Sequence, residues 1–191
     1  MRIIAGTKRG LKLLSPKTID SRPILDRVKE SLFSVLYNYG LPDGKIVADL
    51  FCGVGSLGLE ALSRGARFVT FVEKDPKTAA ILKKNIEKCG FIKESLVLTA
   101  NAFKIAAPVK EDKYDAVFID PPYPLTTEVA EGSLLFGLLE LVAQQIADDG
   151  IVVVRTHKRT ELLETYGQLK IIERRKWGTM AVTLLRLNTR Y

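Results

Sequence analysis

Asp49-Leu50-Phe51-Cys52-Gly53-Val54-Gly55-Ser56-Leu57-Gly58 is the stretch on which the fold turns. The apolar run Ile46–Leu50 predicts a strand, and Ser56–Arg64, closed by Gly65, predicts a helix. Between them Gly53, Gly55 and Gly58 match G-x-G-x-x-G, placed between strand and helix as that motif requires. Glycines let the backbone turn tightly and let a ligand come close. Glu73 ends the next apolar run, 20 residues after Gly53, where an acid can accept hydrogen bonds from both hydroxyls of a ribose. The spacing fits a nicotinamide dinucleotide and equally another adenosine cofactor. Asp49 would face incoming anions, so it suits a cationic amino-acid moiety better than a pyrophosphate. S-adenosylmethionine carries both a sulfonium and an ammonium.

Working outward, strand and helix signals alternate. Phe68–Val72 reads as a strand, Pro76–Cys89 as a helix closed by Gly90, and Leu96–Thr99 as a strand followed by a helical turn at 102–107. Tyr114–Ile119 is the next predicted strand, Glu128–Ala147 a long helix and Ile151–Arg155 a strand. Arg159–Tyr166 reads as helical, and Leu169–Lys176 with Thr179–Leu187 as a closing strand pair around Gly178. Repeated β-α-β units predict a parallel sheet with helices on both faces and one antiparallel edge. Asn101 follows the third strand. Its amide can read an adenine edge beside the Ala102 N–H, or it can serve as a helix N-cap.

The strand at 114–119 stops on Asp120-Pro121-Pro122-Tyr123. Two prolines make a stiff turn that cannot continue a ladder. Such a loop lies where open α/β sheets place ligands. Asp120 offers an acceptor, the proline carbonyls point in set directions and Tyr123 offers a flat ring. Together they suit a planar group carrying an NH₂.

Before the alternation stand about forty residues of different character. Residues 2–5 and 11–14 flank Gly6-Thr7-Lys8-Arg9-Gly10, which reads as a β-hairpin with a basic tip. Ser15–Arg22 reads as an extended linker, with Pro23 set for the first turn of a helix. Leu25, Val28, Leu32, Val35, Leu36 and Tyr39 then mark an amphipathic helix whose other face carries Arg27 and Lys29. The predicted division is therefore 1–40, a basic extension, and 41–191, the main fold. The net charge is +7, and +5 of it lies in the first thirty positions, which favours a polyanionic partner. Arg2, Lys8, Arg9, Lys12, Arg22 and Arg27 are the candidate nucleic-acid contacts.

Composition excludes several classes. Cys52 and Cys89 form no C-x-x-C, so neither a disulfide framework nor a zinc site is suggested. His157 is the only histidine, which argues against histidine metal sites and Ser-His-Asp triads. No apolar run approaches 18 residues and no signal-peptide pattern opens the chain, so the expectation is a cytoplasmic protein without membrane contact.

D-L-F-C-G-V-G-S-L-G-L-E-A-L-S-R-G (49–65), F-V-E-K-D (71–75) and D-P-P-Y (120–123) resemble class I S-adenosylmethionine-dependent methyltransferases. More narrowly, R-I-I-A-G-x-x-R-G-x-x-L (2–13) and S-R-P-x-x-D-R-V-K-E-S-L-F (21–33) resemble the bacterial ribosomal RNA small-subunit methyltransferase D family. The resemblance implies a Rossmann-like fold with a mostly parallel seven-stranded sheet. It implies methyl transfer from S-adenosylmethionine to the exocyclic N2 of a guanine in small-subunit (16S) rRNA, with rRNA or an assembling small subunit as partner. Carried over, Asp49, Phe51, Gly53, Gly55, Glu73, Lys74, Asn101 and Ala102 would hold the cofactor, and Asp120, Pro121, Pro122 and Tyr123 the target base. Cys52 and Val54 stand where the family has small Ala and Ser, Tyr123 where Phe is common, and Asn101 where an acid is usual. Arg155-Thr156-His157 likewise stands where the family has an acid. A DNA adenine-N6 methyltransferase is the near alternative, although 191 residues leave no evident target-recognition domain. A nicotinamide-dependent dehydrogenase would leave D-P-P-Y without a use, and a non-catalytic RNA-binding module would leave the glycine loop without one. With no extended apolar face left over, a monomer is expected.

Overall fold

A computed structural model describes residues 1–16, 24–108 and 112–188. Pro23, Arg22 and most of the predicted 15–22 linker lie outside the described residues. The elements in order are α1 (Asp26–Tyr37), β1 (Ile46–Leu50), α2 (Ser56–Ser63), β2 (Phe68–Glu73), α3 (Pro76–Cys89) and β3 (Ser95–Thr99). There follow α4 (Ala102–Ile105), β4 (Tyr114–Ile119), a 3₁₀ turn (Tyr123–Thr126), α5 (Leu134–Gln145), β5 (Ile146–His157), β6 (Thr165–Tyr166), β7 (Leu169–Trp177) and β8 (Met180–Leu187).

One sheet takes the order β3-β2-β1-β4-β5-β8-β7-β6. The first five strands in that order run parallel, and β8, β7 and β6 complete the sheet antiparallel. The register sets Leu50 opposite both Val72 and Ile119, so β1, β2 and β4 end at one level. The order reverses between β1 and β4, the point at which open α/β sheets bind ligands.

Apolar side chains fill both faces. On one face Ile3, Val28, Leu32, Leu59 and Leu82 pack with Val47, Phe71 and Phe118 of the sheet. Phe33 of α1 meets Phe118 of β4 at 5.7 Å between ring centroids. On the other, Leu135, Leu138, Leu139 and Val142 of α5 pack with Leu50, Val117, Ile119 and Val152. The residues before β1 thus share a core with the sheet.

Three local expectations change. The sheet has eight strands rather than seven, because Thr165–Tyr166 pairs with Leu169–Lys170 at the edge. The 159–166 segment is therefore not a helix. Its backbone groups are taken by distant partners: Arg174 donates to the Lys158 and Thr160 carbonyls, and Ile171 N–H to the Glu164 carbonyl. The long helix begins at Leu134 rather than Glu128, because the Ser133 side chain caps it by accepting from Phe136 N–H. The chain then enters β5 directly at Ile146.

Lys29 is the largest departure. It was expected on the solvent face of α1, yet it is 0% exposed. Its ammonium lies 3.2 Å from the carboxylate of Glu60, also 0% exposed, and donates to the Arg2 carbonyl at 2.7 Å. Glu60 in turn accepts from Ile4 N–H at 2.7 Å, Ala5 N–H at 3.0 Å and Arg64 Nε at 2.8 Å. A charged cluster between α1 and α2 therefore holds the N-terminal arm. Burial lowers the pKa of Lys29, and Glu60 opposes that shift.

Candidate active site

The loop after β1 turns through left-handed backbone at Phe51 (φ 59°), Gly53 (φ 55°) and Gly55 (φ 90°). The outer two glycines of the motif differ in what they permit. A methyl at Gly58 would come within 2.3 Å of the Phe71 ring, so Gly58 lets α2 lie close on β2. A methyl at Gly53 would meet nothing within 4 Å, so Gly53 faces open space where a ligand can approach. Its N–H donates to Glu73 at 3.0 Å, and the other Glu73 oxygen accepts from Asp75 N–H at 2.9 Å. The carboxylate at the end of β2 is thus fixed over the glycine loop.

Asp49 is buried in β1, one residue before the strand ends. It accepts from Gly58 N–H at 2.8 Å. Burial pushes its pKa up to about 8; the Gly58 N–H works against this, while Asp120 and Glu73 add to it. A cation arriving beside it would favour the carboxylate.

Asn101 is exposed, and its side-chain oxygen accepts from Phe103 N–H at 3.0 Å as the N-cap of α4. Ala102 is buried behind it. Phe103, which sequence reasoning did not single out, stands 4.8 Å from Phe51, ring to ring. Lys74 is exposed beside Glu73.

Asp120 begins the loop after β4, and its N–H donates to the Leu50 carbonyl at 3.3 Å. That bond sets the D-P-P-Y loop beside the start of the glycine loop. Arg155, noted in the sequence only as a departure from the family's acid, pairs with this loop: its Nε lies 2.5 Å from the Asp120 carboxylate, and the two side chains are 13% and 18% exposed. Burial raises the Asp120 pKa and the Arg155 charge opposes the rise. Pro121 is buried and Pro122 exposed. Tyr123, half-buried, meets the His157 ring edge-to-face at 5.6 Å. Only a search of β5 for a cation level with Asp120 would have found this pair.

The basic candidates disperse. Arg2 pairs with Asp26 at 2.8 Å, and Arg9, Lys12 and Arg27 are exposed. Lys8 lies over the Phe91 ring at 5.7 Å. Thr7 N–H and Lys8 N–H bind the Ser63 carbonyl and hydroxyl, at the far end of α2 from the glycine loop. An eight-residue helix is about 12 Å long, so the basic tip sits away from Asp120–Tyr123. Among the described residues no group of three His, Cys, Asp or Glu is placed to hold a metal. No helix there is long and apolar enough to cross a membrane.

A sheet of this order, with a glycine loop after β1, an acid ending β2 and an acidic Pro-Pro-aromatic loop after β4, has the architecture of the class I methyltransferases. The profile of the family described as "Conserved hypothetical protein 95" matches residues 1–186. The chain is 34% identical over 188 residues to YlbH of Bacillus subtilis, provisionally named an rRNA methyltransferase, covering 96% of this chain and 97% of that one. It is 37% identical over 152 residues to Ribosomal RNA small subunit methyltransferase D of Escherichia coli, covering 78% of this chain and 68% of the relative. The solved structure of yhhF from Escherichia coli, provisionally named a methyltransferase, superposes with a TM-score of 0.81 at 29% identity, over 100% of this chain and 99% of that one. The chain belongs to the Conserved hypothetical protein 95 family, the ribosomal RNA small subunit methyltransferase D family.

Proposed function

We propose that the protein transfers a methyl group from S-adenosylmethionine to the exocyclic N2 amine of a guanine in small-subunit ribosomal RNA. The observation that carries this is the Asp120-Pro121-Pro122-Tyr123 loop, tied to Leu50 at the root of the glycine loop. It sets an amine acceptor and a cofactor cradle one strand apart. The names of the relatives support rRNA as the substrate.

The residues fit the cofactor by their chemistry. Gly53 leaves open space, Glu73 presents a fixed carboxylate to a ribose, and buried Asp49 favours a cation. Phe51 and Phe103 can flank an adenine, with Gly55, Lys74, Asn101 and Ala102 around it. The bound cofactor supplies a methyl group on a cationic sulfur. The protein's part is positional: Asp120 and the Pro121 carbonyl accept the two N–H bonds of the amine, and Tyr123 stacks on a base drawn out of the RNA. A guanine amine is a weak nucleophile because its lone pair is delocalised into the ring. Accepting both N–H bonds directs electron density back to nitrogen, and the Asp120 charge stabilises the positive charge that develops there. The methylated amine, now acidic, sheds one proton toward Asp120 and solvent, leaving a neutral thioether as the other product. We assign methyl transfer to residues 41–191, with residues 1–40 contributing to RNA contact, in a cytoplasmic monomer acting on rRNA or an assembling subunit.

Cofactor binding should depend on pH through Asp49. Its folded pKa stands above that of an unfolded aspartate, so without cofactor the folded chain holds the extra proton between about pH 4 and about pH 8. This group's contribution to stability accordingly falls as pH rises through that window. A cation beside it favours the carboxylate, so S-adenosylmethionine binding should release a proton below about pH 8 and tighten as pH rises toward it. Calorimetry in buffers of different ionisation enthalpy reads the release directly. Asp49→Asn should abolish it, and an unchanged proton count would remove Asp49 from the cofactor site.

The reaction is tested by methyl transfer from labelled S-adenosylmethionine to unmethylated small ribosomal subunits, with tRNA and DNA as controls, followed by nucleoside mass spectrometry. N2-methylguanosine confined to rRNA is the expected product. N6-methyladenine in DNA would keep the fold and cofactor but overturn the substrate.

A further inference from the structure

Exposed cations at the catalytic end of the sheet come from the β5–β8 edge as well as from the base of the N-terminal arm. Because β8 runs antiparallel to β5, His157 pairs with Met180, and the β7–β8 turn therefore lies at the end of the sheet where β4 delivers Asp120. Lys158 N–H donates to the Thr179 carbonyl at 2.9 Å, joining the turn after β5 to the turn after β7. Arg174 braces the same turn by donating to the Thr160 carbonyl at 2.5 Å and the Lys158 carbonyl at 3.4 Å. The neighbouring His157 ring rests against Tyr123. Lys158, Arg159 and Lys176 are exposed on this braced rim. Arg175 is exposed as well, but Glu173 pairs with it. Between 155 and 176 the chain carries seven Lys and Arg against three Glu.

We propose that Lys158, Arg159 and Lys176 form a phosphate-binding rim that grips the RNA strand beside the target nucleotide. The inference rests on the reading of Asp120–Tyr123 as the base site. A base drawn into that site leaves its flanking phosphates at the mouth, within one nucleotide of Tyr123. Fixed cations there meet the backbone whatever its sequence, which is the division between positioning and base contacts seen in nucleic-acid recognition. The arm tip, held at the far end of α2, is left to contact more distant RNA.

The test compares Lys158→Gln/Arg159→Gln/Lys176→Gln with Lys83→Gln/Lys84→Gln/Lys93→Gln, which removes equal charge from exposed positions on and just after α3. Binding of an unmethylated small-subunit rRNA fragment is measured from 50 to 300 mM salt, alongside S-adenosylmethionine affinity and KM for RNA. The rim variant should bind about tenfold more weakly, with a salt slope shallower by roughly 2, since each neutralised phosphate contributes about 0.7–0.9. The loss should appear in KM, and cofactor affinity should hold. The α3 variant should keep the parent slope. Equal losses in both variants would reduce the effect to net charge and overturn the proposal, as would an unchanged slope in the rim variant. The failure of the underlying reading looks different: the parent protein would then methylate no rRNA guanine.

Discussion

Asp120→Ala is expected to lower methyl transfer by about 10²–10³-fold while leaving S-adenosylmethionine affinity within about twofold, a split read by single-turnover kinetics beside calorimetry. The size follows from where the carboxylate sits. It is largely buried, so its field on the developing ammonium is poorly screened. Alanine also removes the negative charge that faces the Arg155 guanidinium, so the field at the position the amine must take becomes more positive. The hydrogen bond from Asp120 to β1 is made by its backbone N–H, which alanine retains. The ion pair gives the argument a second arm. Removing the guanidinium in Arg155→Met takes away the influence that lowers the Asp120 pKa, so the acidic limb of the rate profile should move to higher pH. The lost activity should then return as the pH is raised. Loss that is flat across pH would make Arg155 a structural prop, and full turnover by Asp120→Ala would end the assignment of the loop.

Glu60→Ala should destabilise the fold by about 3–5 kcal/mol, measured by urea unfolding. Removing one partner of a buried ion pair leaves the other charge in a site built to exclude water. Here Lys29 loses its counter-charge while Arg64 and the N–H groups of Ile4 and Ala5 lose the oxygens they donate to. Replacing the ion pair with apolar side chains, as in Lys29→Met/Glu60→Met, should not restore the parent stability. The two partly buried backbone donors would still lack the carboxylate, at up to about 1 kcal/mol each. A loss below about 1 kcal/mol in Glu60→Ala would mean that water or another oxygen replaces the carboxylate.

Punctuation made most of the parallel sheet legible. Asp75, Pro76 and Gly90 bracket α3 as N-cap, first helical residue and left-handed C-cap, and the expected bounds match the observed ones. β1 and β4 were equally clear, because short apolar runs ended on glycine or proline. Where a segment answers to a distant partner, local signals mislead. Residues 159–164 carry helix-forming side chains, but Arg174 and β7 claim their backbone groups. In the site, the glycines, Glu73 and the D-P-P-Y loop announced themselves by spacing. The Asp120–Arg155 and Lys29–Glu60 pairs did not, since their members stand 35 and 31 positions apart and only strand order and helix packing bring them together. Asn101 was ambiguous for a physical reason: one short amide serves a helix cap and an adenine edge equally well, and here its oxygen caps α4.

Helix α2 is gripped at both ends. Ser56, at its start, touches the Lys29 ammonium beside the glycine loop, and Ser63, at its last turn, holds the tip of the arm. The arm is therefore a splint on the glycine loop rather than a detachable tail. Trimming residues 1–14 to ask whether the arm binds RNA would strip Glu60 of two donors and unseat the helix that shapes Gly53 to Gly58. A truncated protein that failed on RNA would have failed first as a vessel for its cofactor, and only point changes at exposed side chains can separate the two roles.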